Sequence, residues 1–384
     1  MRIVVAGIMG RYPYGGVQWC SLMYLKGLRQ LGHEVWYLED TGECNYDPEA
    51  NTLATDPAYA LRTLARVLEP AGFGDRWCYI DYTGRHHGMT EARWREMCAR
   101  TDLYLNLSGG SWFWRDEYAA IPRSAFIDSD PAFTQLAIAS GPDWYVDFFR
   151  RFDTLFTFGA NIGTAASSVE TGDLRWHHTW QPVTLDDWRP RTMQGARRCL
   201  STVMTWEIES FVDIGGNKDS EFGMIADLPT RVDIPLELAI NAPNAVLDEL
   251  ARRGWQLRDA FSVSHSIDAY RDYLAGVVGE LSVAKSTYVR TASGWFSDRT
   301  ECFLALGRPA IVQDTGWSAH VPTGRGLFAF RDADEAGAAV DTLLTDPDAH
   351  ARSANELARA HFAHDVVLPP LVERAVSTVS AGRR

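Results

Sequence analysis

The segment Ser297-Asp298-Arg299-Thr300 has the residue types needed to hold a polyanion. Ser297 and Asp298 are good helix N-caps, and a helix N-terminus offers unpaired N–H groups and about half a positive charge. Arg299 falls in the first turn, where the helix dipole disfavours a cation; a docked dianionic group would relieve it. Lysine occurs only as Lys26, Lys218 and Lys285 against many arginines. Lys218 and Lys285 stand in Gly-rich or loop-to-strand segments, where a lysine can serve as a point-charge phosphate ligand. For proton transfer the densest acidic pair is Asp128-Ser129-Asp130, followed by Pro131. A carboxylate there can take a proton from a hydroxyl. His86, in Thr83-Gly-Arg-His-His-Gly88, has an ordinary pKa suited to the same task. Trp112 and Trp114 offer faces on which a ring could stack. Each has a plainer reading: an exposed arginine in an ordinary helix, a helix cap at Asp130, surface histidines, core tryptophans.

The surrounding pattern predicts the elements that must hold these groups. Arg2 to Gly7 is an apolar strand, a Gly-rich loop runs through Gly16, a helix spans 17–31 and a strand 34–38. Further strands are predicted over 102–107, 124–127 and 154–158, each followed by Gly, Ser, Asp or Asn. Such residues at strand C-terminal ends mark the ligand edge of an open α/β sheet. Residues 43–60 read as irregular, and 57–69 and 90–100 as helices. Gln181 to Pro190, rich in Pro and Trp, reads as an interdomain linker. Beyond it, strands at 200–206, 233–240, 281–284, 310–312 and 326–330 alternate with helices at 244–253, 266–275, 297–306, 332–344, 347–362 and 368–377. Residues 379–384 are expected to fray. The expected fold is α/β, with domains over 1–185 and 186–362 and a tail over 363–384.

The composition restricts the partners. The chain has 384 residues, 46% hydrophobic and 23% charged, which suits a two-domain globular protein. A net charge of −13 argues against a general nucleic-acid or anionic-membrane surface. No apolar run reaches the length of a membrane span, and with a strand-like run at Arg2 to Gly7 no signal peptide is expected. The six cysteines have no zinc-ligand spacing, so reduced thiols and a cytoplasmic location are expected, with no metal site. The loop at Ile8–Gly16 lacks Gly-x-Gly-x-x-Gly, which speaks against a nicotinamide cofactor.

Several segments resemble GT-B glycosyltransferases. Gly15-Gly16 and Gly32-His-Glu-Val35 match the first loop and the end of the first helix. Lys218 matches a lysine that holds the donor diphosphate in that family. Gly294-Trp-Phe-Ser297, Gly307-Arg-Pro309 and Asp314-Thr315-Gly316 match its donor segment. Gly294 and Cys302 stand where the large retaining branch has glutamates, and Trp206-Glu207 where it has Gly-Arg; Glu301 is one residue off. The resemblance implies two Rossmann-like parallel-sheet domains facing a cleft. It also implies transfer of a sugar from a nucleotide diphosphate sugar to a small-molecule or glycan acceptor. No metal or other cofactor is expected, because a helix N-terminus with Lys218, Lys285 and Arg299 can neutralise the charge of the leaving group. Donor contacts are then expected at Gly15, Gly16, Lys218, Lys285, Ser297 to Thr300, Asp314, Thr315 and Gly316. Acceptor contacts are expected at Trp112 and Trp114, with Asp128, Asp130 or His86 handling the proton. A sugar-nucleotide epimerase, a phosphorylase and a non-catalytic nucleotide-sugar-binding protein share the same fold.

Overall fold

A computed structural model of the chain describes residues 1–206 and 218–378. The Gly-rich loop ahead of Lys218, Glu207 and the terminal 379–384 lie outside the described residues. Two parallel sheets carry the structure. The first contains β1 (Arg2–Ala6), β2 (Glu34–Glu39), β5 (Trp77–Ile80), β6 (His86–His87), β7 (Leu103–Leu107), β8 (Ser124–Asp128), β9 (Thr154–Thr157) and β10 (Trp176–His178). A separate hairpin holds β3 (Asn45–Asp47) and β4 (Thr52–Ala54). The second sheet contains β11 (Arg197–Thr205), β12 (Leu236–Asn241), β13 (Gln256–Asp259), β14 (Val277–Ser282), β15 (Ala310–Gln313) and β16 (Leu327–Phe330).

The first sheet runs in the order β10-β9-β8-β7-β1-β2-β5-β6 and the second β13-β12-β11-β14-β15-β16. All pairings within them are parallel except β5 with β6. In each sheet the order reverses beside the first strand, between β1 and β7 and between β11 and β14. Such a switch point opens a crevice at the strand C-termini, where ligands of open α/β sheets bind. The central strands are apolar runs because helices cover both faces: Ile3 to Ala6 and Leu103 to Leu105 are wholly buried.

Several elements differ from the sequence expectation. His86 and His87 form a short strand rather than a loop, because Ile80 and Tyr79 pair with them. Residues 45–54 form a hairpin, and Trp176–His178 extends the first sheet along β9. Gln256–Asp259 is also a strand, although half-exposed or exposed throughout; its polar sequence carries no alternation to reveal it. The segment 181–190 is a buried strap more than a linker. Val183, Thr184 and Trp188 are fully buried, Val183 pairs with Ala363, and Trp188 packs edge-on against Trp19 at 5.0 Å. Its Pro and Trp content reflects anchoring to both halves.

The helix His364–Ser377 lies against the helix Gly15–Gln30, where an added Cβ on Gly27 would meet Leu368 Cδ1 at 2.7 Å. Arg123 Nε, beside β8, donates to Val376 O at 3.0 Å. One continuous apolar cluster includes Trp19, Leu22, Trp188, Leu274, Phe303, Phe362 and Leu368, so the two sheets share a core at the back of the cleft. None of the described helices is long and apolar enough to cross a membrane.

Candidate functional site

The C-terminal ends of both sheets meet at one cleft of about 710 Å³. From the first sheet it takes Ser108 after β7, Ser129 and Asp130 after β8, and Phe158 after β9. Tyr14, Gly16 and Val17, where the helix Gly15–Gln30 begins, complete that wall. From the second sheet it takes Met204 and Thr205 at the end of β11, Asn241 of β12 and Asp259 of β13. Lys285, Trp295 and the start of the helix Asp298–Ala305 follow. A second cavity, of about 570 Å³, lies between β10 and the C-terminal helix and is lined by Phe156, Trp180, Leu371 and Arg374.

The cations gather on the second wall. Lys218 opens the helix Lys218–Ile225 and lines the cleft with Lys285 and Arg299. Its ammonium has no hydrogen-bond partner among the described residues. Burial, then the positive charges of Arg299 and Lys285, lower its pKa to about 7. Like charges placed this close are costly unless an anion joins them. Ser297 is the extended N-cap of the helix Asp298–Ala305, and its side chain makes no capping bond. The first-turn donors are therefore left without a side-chain cap.

Arg299 has a different setting from the one its first-turn position suggests. It is only 8% exposed and forms a buried ion pair with Glu280 of β14, Nε to Oε1 at 2.6 Å. Its Nη2 donates to Ser282 Oγ at 2.6 Å and its Nη1 to Val203 O at 2.9 Å. It ties β11, β14 and the helix together beneath the cleft wall, so its charge has an internal partner. Thr300 is wholly buried behind that wall and does not line the cleft.

The two aspartates after β8 divide. Asp128 is the last residue of the strand, 2% exposed, and accepts four hydrogen bonds. Oδ1 accepts from Asp130 N at 3.1 Å and Thr134 Oγ1 at 2.6 Å; Oδ2 accepts from Gln135 Nε2 at 3.0 Å and Thr157 Oγ1 at 2.9 Å. Burial raises its pKa to about 6, against the bonds from Thr134 and Gln135. Asp128 is thus a hub of the turn and not a base in the cleft, which corrects the sequence expectation. Asp128→Ala should cost about 1–3 kcal/mol of stability through unsatisfied donors, read as a lower midpoint in chemical denaturation; an unchanged midpoint would return it to the list of candidate bases. Asp130, two residues on, does line the cleft. Its Oδ1 accepts from Lys285 Nζ at 2.8 Å and from the Tyr288 hydroxyl, both on the second half of the chain. Partial desolvation by the cleft walls works against its charge, but Lys285 and then Tyr288 outweigh it and hold its pKa below the usual value.

Other expected residues lie elsewhere. His86 sits on the edge strand β6, outside the cleft lining. Trp112 packs on Phe126, Tyr145 and Phe148, and Trp114 on Tyr104 and Phe152, both half-buried against the aromatic core of the first half. Dense apolar partners claimed both rings. Asp314, Thr315 and Gly316 form a turn behind the cleft. Asp314 Oδ1 accepts from Gly316 N at 2.9 Å, and Thr315 Oγ1 donates to Trp295 O at 2.6 Å. Gly316, at φ +96°, allows Asn161 of the first half to approach; an added Cβ would lie 2.5 Å from its Nδ2. Asn161 also donates to Ala292 O at 2.9 Å and bonds His320 at 2.8 Å through Oδ1. Gly15 likewise serves contact between the halves, since an added Cβ would lie 2.3 Å from Ser266 O. Neither Gly15 nor the Asp314–Gly316 turn lines the cleft, whereas Gly16 does. Glu301 is buried one turn behind Asp298, and burial, then Asp298, raises its pKa well above the ordinary carboxylate value.

Tyr14, Tyr46, Phe261 and Tyr288 enter the site without having been singled out. Tyr14 stacks on Tyr46 at 5.9 Å and meets Phe261 edge-on at 6.3 Å, an aromatic set that spans both halves. The one available signal was Tyr14 standing before Gly15-Gly16 at a helix start. Nothing local distinguishes Tyr46, Phe261 or Tyr288 from core aromatics.

No protein-family model and no curated protein matches the chain. Solved structures do. An α-glucosyltransferase in complex with UDP and a 13-mer DNA superposes with TM-score 0.58 at 10% identity, over 98% of this chain and 99% of that one. Anabaena Alr3699/HepE in complex with UDP gives 0.57 at 12%, over 98% and 100%. AviGT4, a glycosyltransferase involved in avilamycin A biosynthesis, gives 0.56 at 17%, over 99% of both chains. The likeness is one of fold along nearly the whole chain: two Rossmann-like parallel-sheet halves facing a cleft, the GT-B architecture.

Proposed function

We propose that the protein transfers a glycosyl group from a nucleoside diphosphate sugar to a hydroxyl of a small-molecule or glycan acceptor. The observation that carries this reading is the set of cations at the second sheet's switch point. Lys218 and Lys285 stand beside the start of the helix Asp298–Ala305, above the Arg299–Glu280 pair. A diphosphate leaving group develops negative charge as the bond to the sugar breaks, and preorganised cations and helix N–H groups stabilise that charge. The nucleoside would extend toward Asn241, Asp259 and Phe261, at the ends of β12 and β13. The acceptor would enter along Tyr14, Tyr46 and Ser108. Fold similarity to structures holding UDP supports the donor class. The net charge of −13 favours an acceptor other than nucleic acid. The six free cysteines, four of them buried, suit a reducing, cytoplasmic setting.

The test is nucleoside diphosphate release from UDP-, GDP-, ADP- and dTDP-sugars, with and without glycan and small-molecule acceptors. Because side-chain cations and a helix terminus meet the leaving-group charge, turnover is expected to persist in EDTA. Release that is absent from every donor would refute the reading. Loss in EDTA that magnesium or manganese restores would refute its metal-independent form.

A further inference from the structure

Asp130 and Lys285 come from opposite walls of the cleft, yet they form an ion pair at 2.8 Å. Lys285 is also one of the cations on the wall assigned above to the diphosphate. We propose that Asp130 and the donor diphosphate compete for Lys285, so that donor binding releases Asp130 to take the proton of the acceptor hydroxyl; this rests on the donor reading just given.

Three observations carry it. Lys285 occupies a prepared position in which its ammonium lies 4.6 Å from the Phe133 ring centroid and 5.4 Å from that of Tyr288, distances at which aromatic faces hold a cation. Its flexible stem can nevertheless redirect a point charge to a nearby phosphate. Second, Asp130 keeps an anchor if Lys285 leaves, because the Tyr288 hydroxyl donates to the same Oδ1. Its Oδ2 has no hydrogen bond among the described residues, and the side chain is 54% exposed. Third, a bare carboxylate in this cleft would repel the donor. Lys285 masks it until two phosphates, carrying more charge than one carboxylate, outbid Asp130 for the ammonium.

In the step that follows, the acceptor hydroxyl gives its proton to Asp130 and its oxygen bonds to the anomeric carbon. The bond from that carbon to the phosphate oxygen breaks, and its electron pair leaves with the diphosphate, whose charge Lys218 and Lys285 then hold. A donor-free enzyme would have Asp130 tied to Lys285, so the acceptor would not be activated before the donor is in place.

Competition predicts a gain in affinity when one competitor is removed, which damage to the fold would not produce. Calorimetry with UDP, ADP and GDP identifies the nucleotide that the parent protein binds. Asp130→Asn should bind that nucleotide about tenfold more tightly than the parent while losing glycosyl transfer. Asp130→Ala, as a second variant, should do the same. In a Lys285→Gln background the Asp130 substitutions should change affinity by no more than about twofold, since no shared cation remains. Thermal unfolding confirms that each variant is folded. Unaltered affinity in both Asp130 variants overturns the proposal. So does a gain that persists in full without Lys285, which would be simple removal of a negative charge. A parent that binds none of the three nucleotides removes the donor reading and this proposal with it.

Discussion

Arg299→Ala is expected to lower stability by about 3–5 kcal/mol, the cost of leaving one member of a buried ion pair alone. Glu280 is wholly buried on β14 and would keep a carboxylate with no cation to meet it. The loss is larger than for an exposed pair because water cannot reach the orphaned group. Ser282 Oγ and Val203 O would lose their donors in the same substitution, and with them a link between β11 and β14. Urea titration of the parent and of Arg299→Ala measures the effect. The double variant Arg299→Met, Glu280→Gln should recover much of it, since the buried charge is gone from both sides. An unchanged unfolding midpoint in Arg299→Ala would show that the pair contributes nothing to the fold. Weakened nucleotide binding in this variant is interpretable as a lost phosphate contact only if the protein remains folded. Arg299→Lys, which retains the charge, is the companion measurement.

Lys218→Ala should weaken nucleoside diphosphate binding by about 10–150-fold, the loss of one charge-assisted contact. It should also remove a pH dependence. A lysine with its pKa lowered to about 7 is a cation in the free protein only below that pH. A bound diphosphate favours the cation and raises the pKa, so binding at pH 7–8 takes up a proton. Affinity therefore falls as pH rises above 7, by up to about tenfold per unit until the pKa of the complex is reached. On the acid side the terminal phosphate begins to protonate near pH 6 by ordinary phosphate chemistry. The tightest binding is then expected between about pH 6 and 7. Calorimetry in buffers of different ionisation enthalpy measures the proton uptake directly. Tight binding by Lys218→Ala, with the alkaline fall intact, would place the anion elsewhere.

The amino-acid sequence by itself determined the local elements and the polar edge of the sheets. Apolar runs ending in Gly, Ser, Asp or Asn encode strands and their turns through nearest-neighbour chemistry, so β1, β7, β8 and β9 were legible. Ser297, Gly307 and Pro309 bound a helix for the same local reason. The rarity of lysine singled out Lys218 and Lys285, which the fold brings to one cleft. Contacts made only in the folded chain decided the rest. Asp128 and Asp130 are alike in type and two residues apart, but the strand ends on the first and turns it inward to four donors, while the second emerges into the cleft. Arg299 read as an anion ligand because its partner, Glu280, stands 19 residues earlier on another element. Gly15 and Gly316 read as ligand glycines, but they are small because Ser266 and Asn161 come close. Trp112 and Trp114 read as platforms, but both pack half-buried against the aromatic core and outside the cleft lining. In each case the residue type states what chemistry is available, and whether it faces ligand or protein depends on which group the fold brings to satisfy it first.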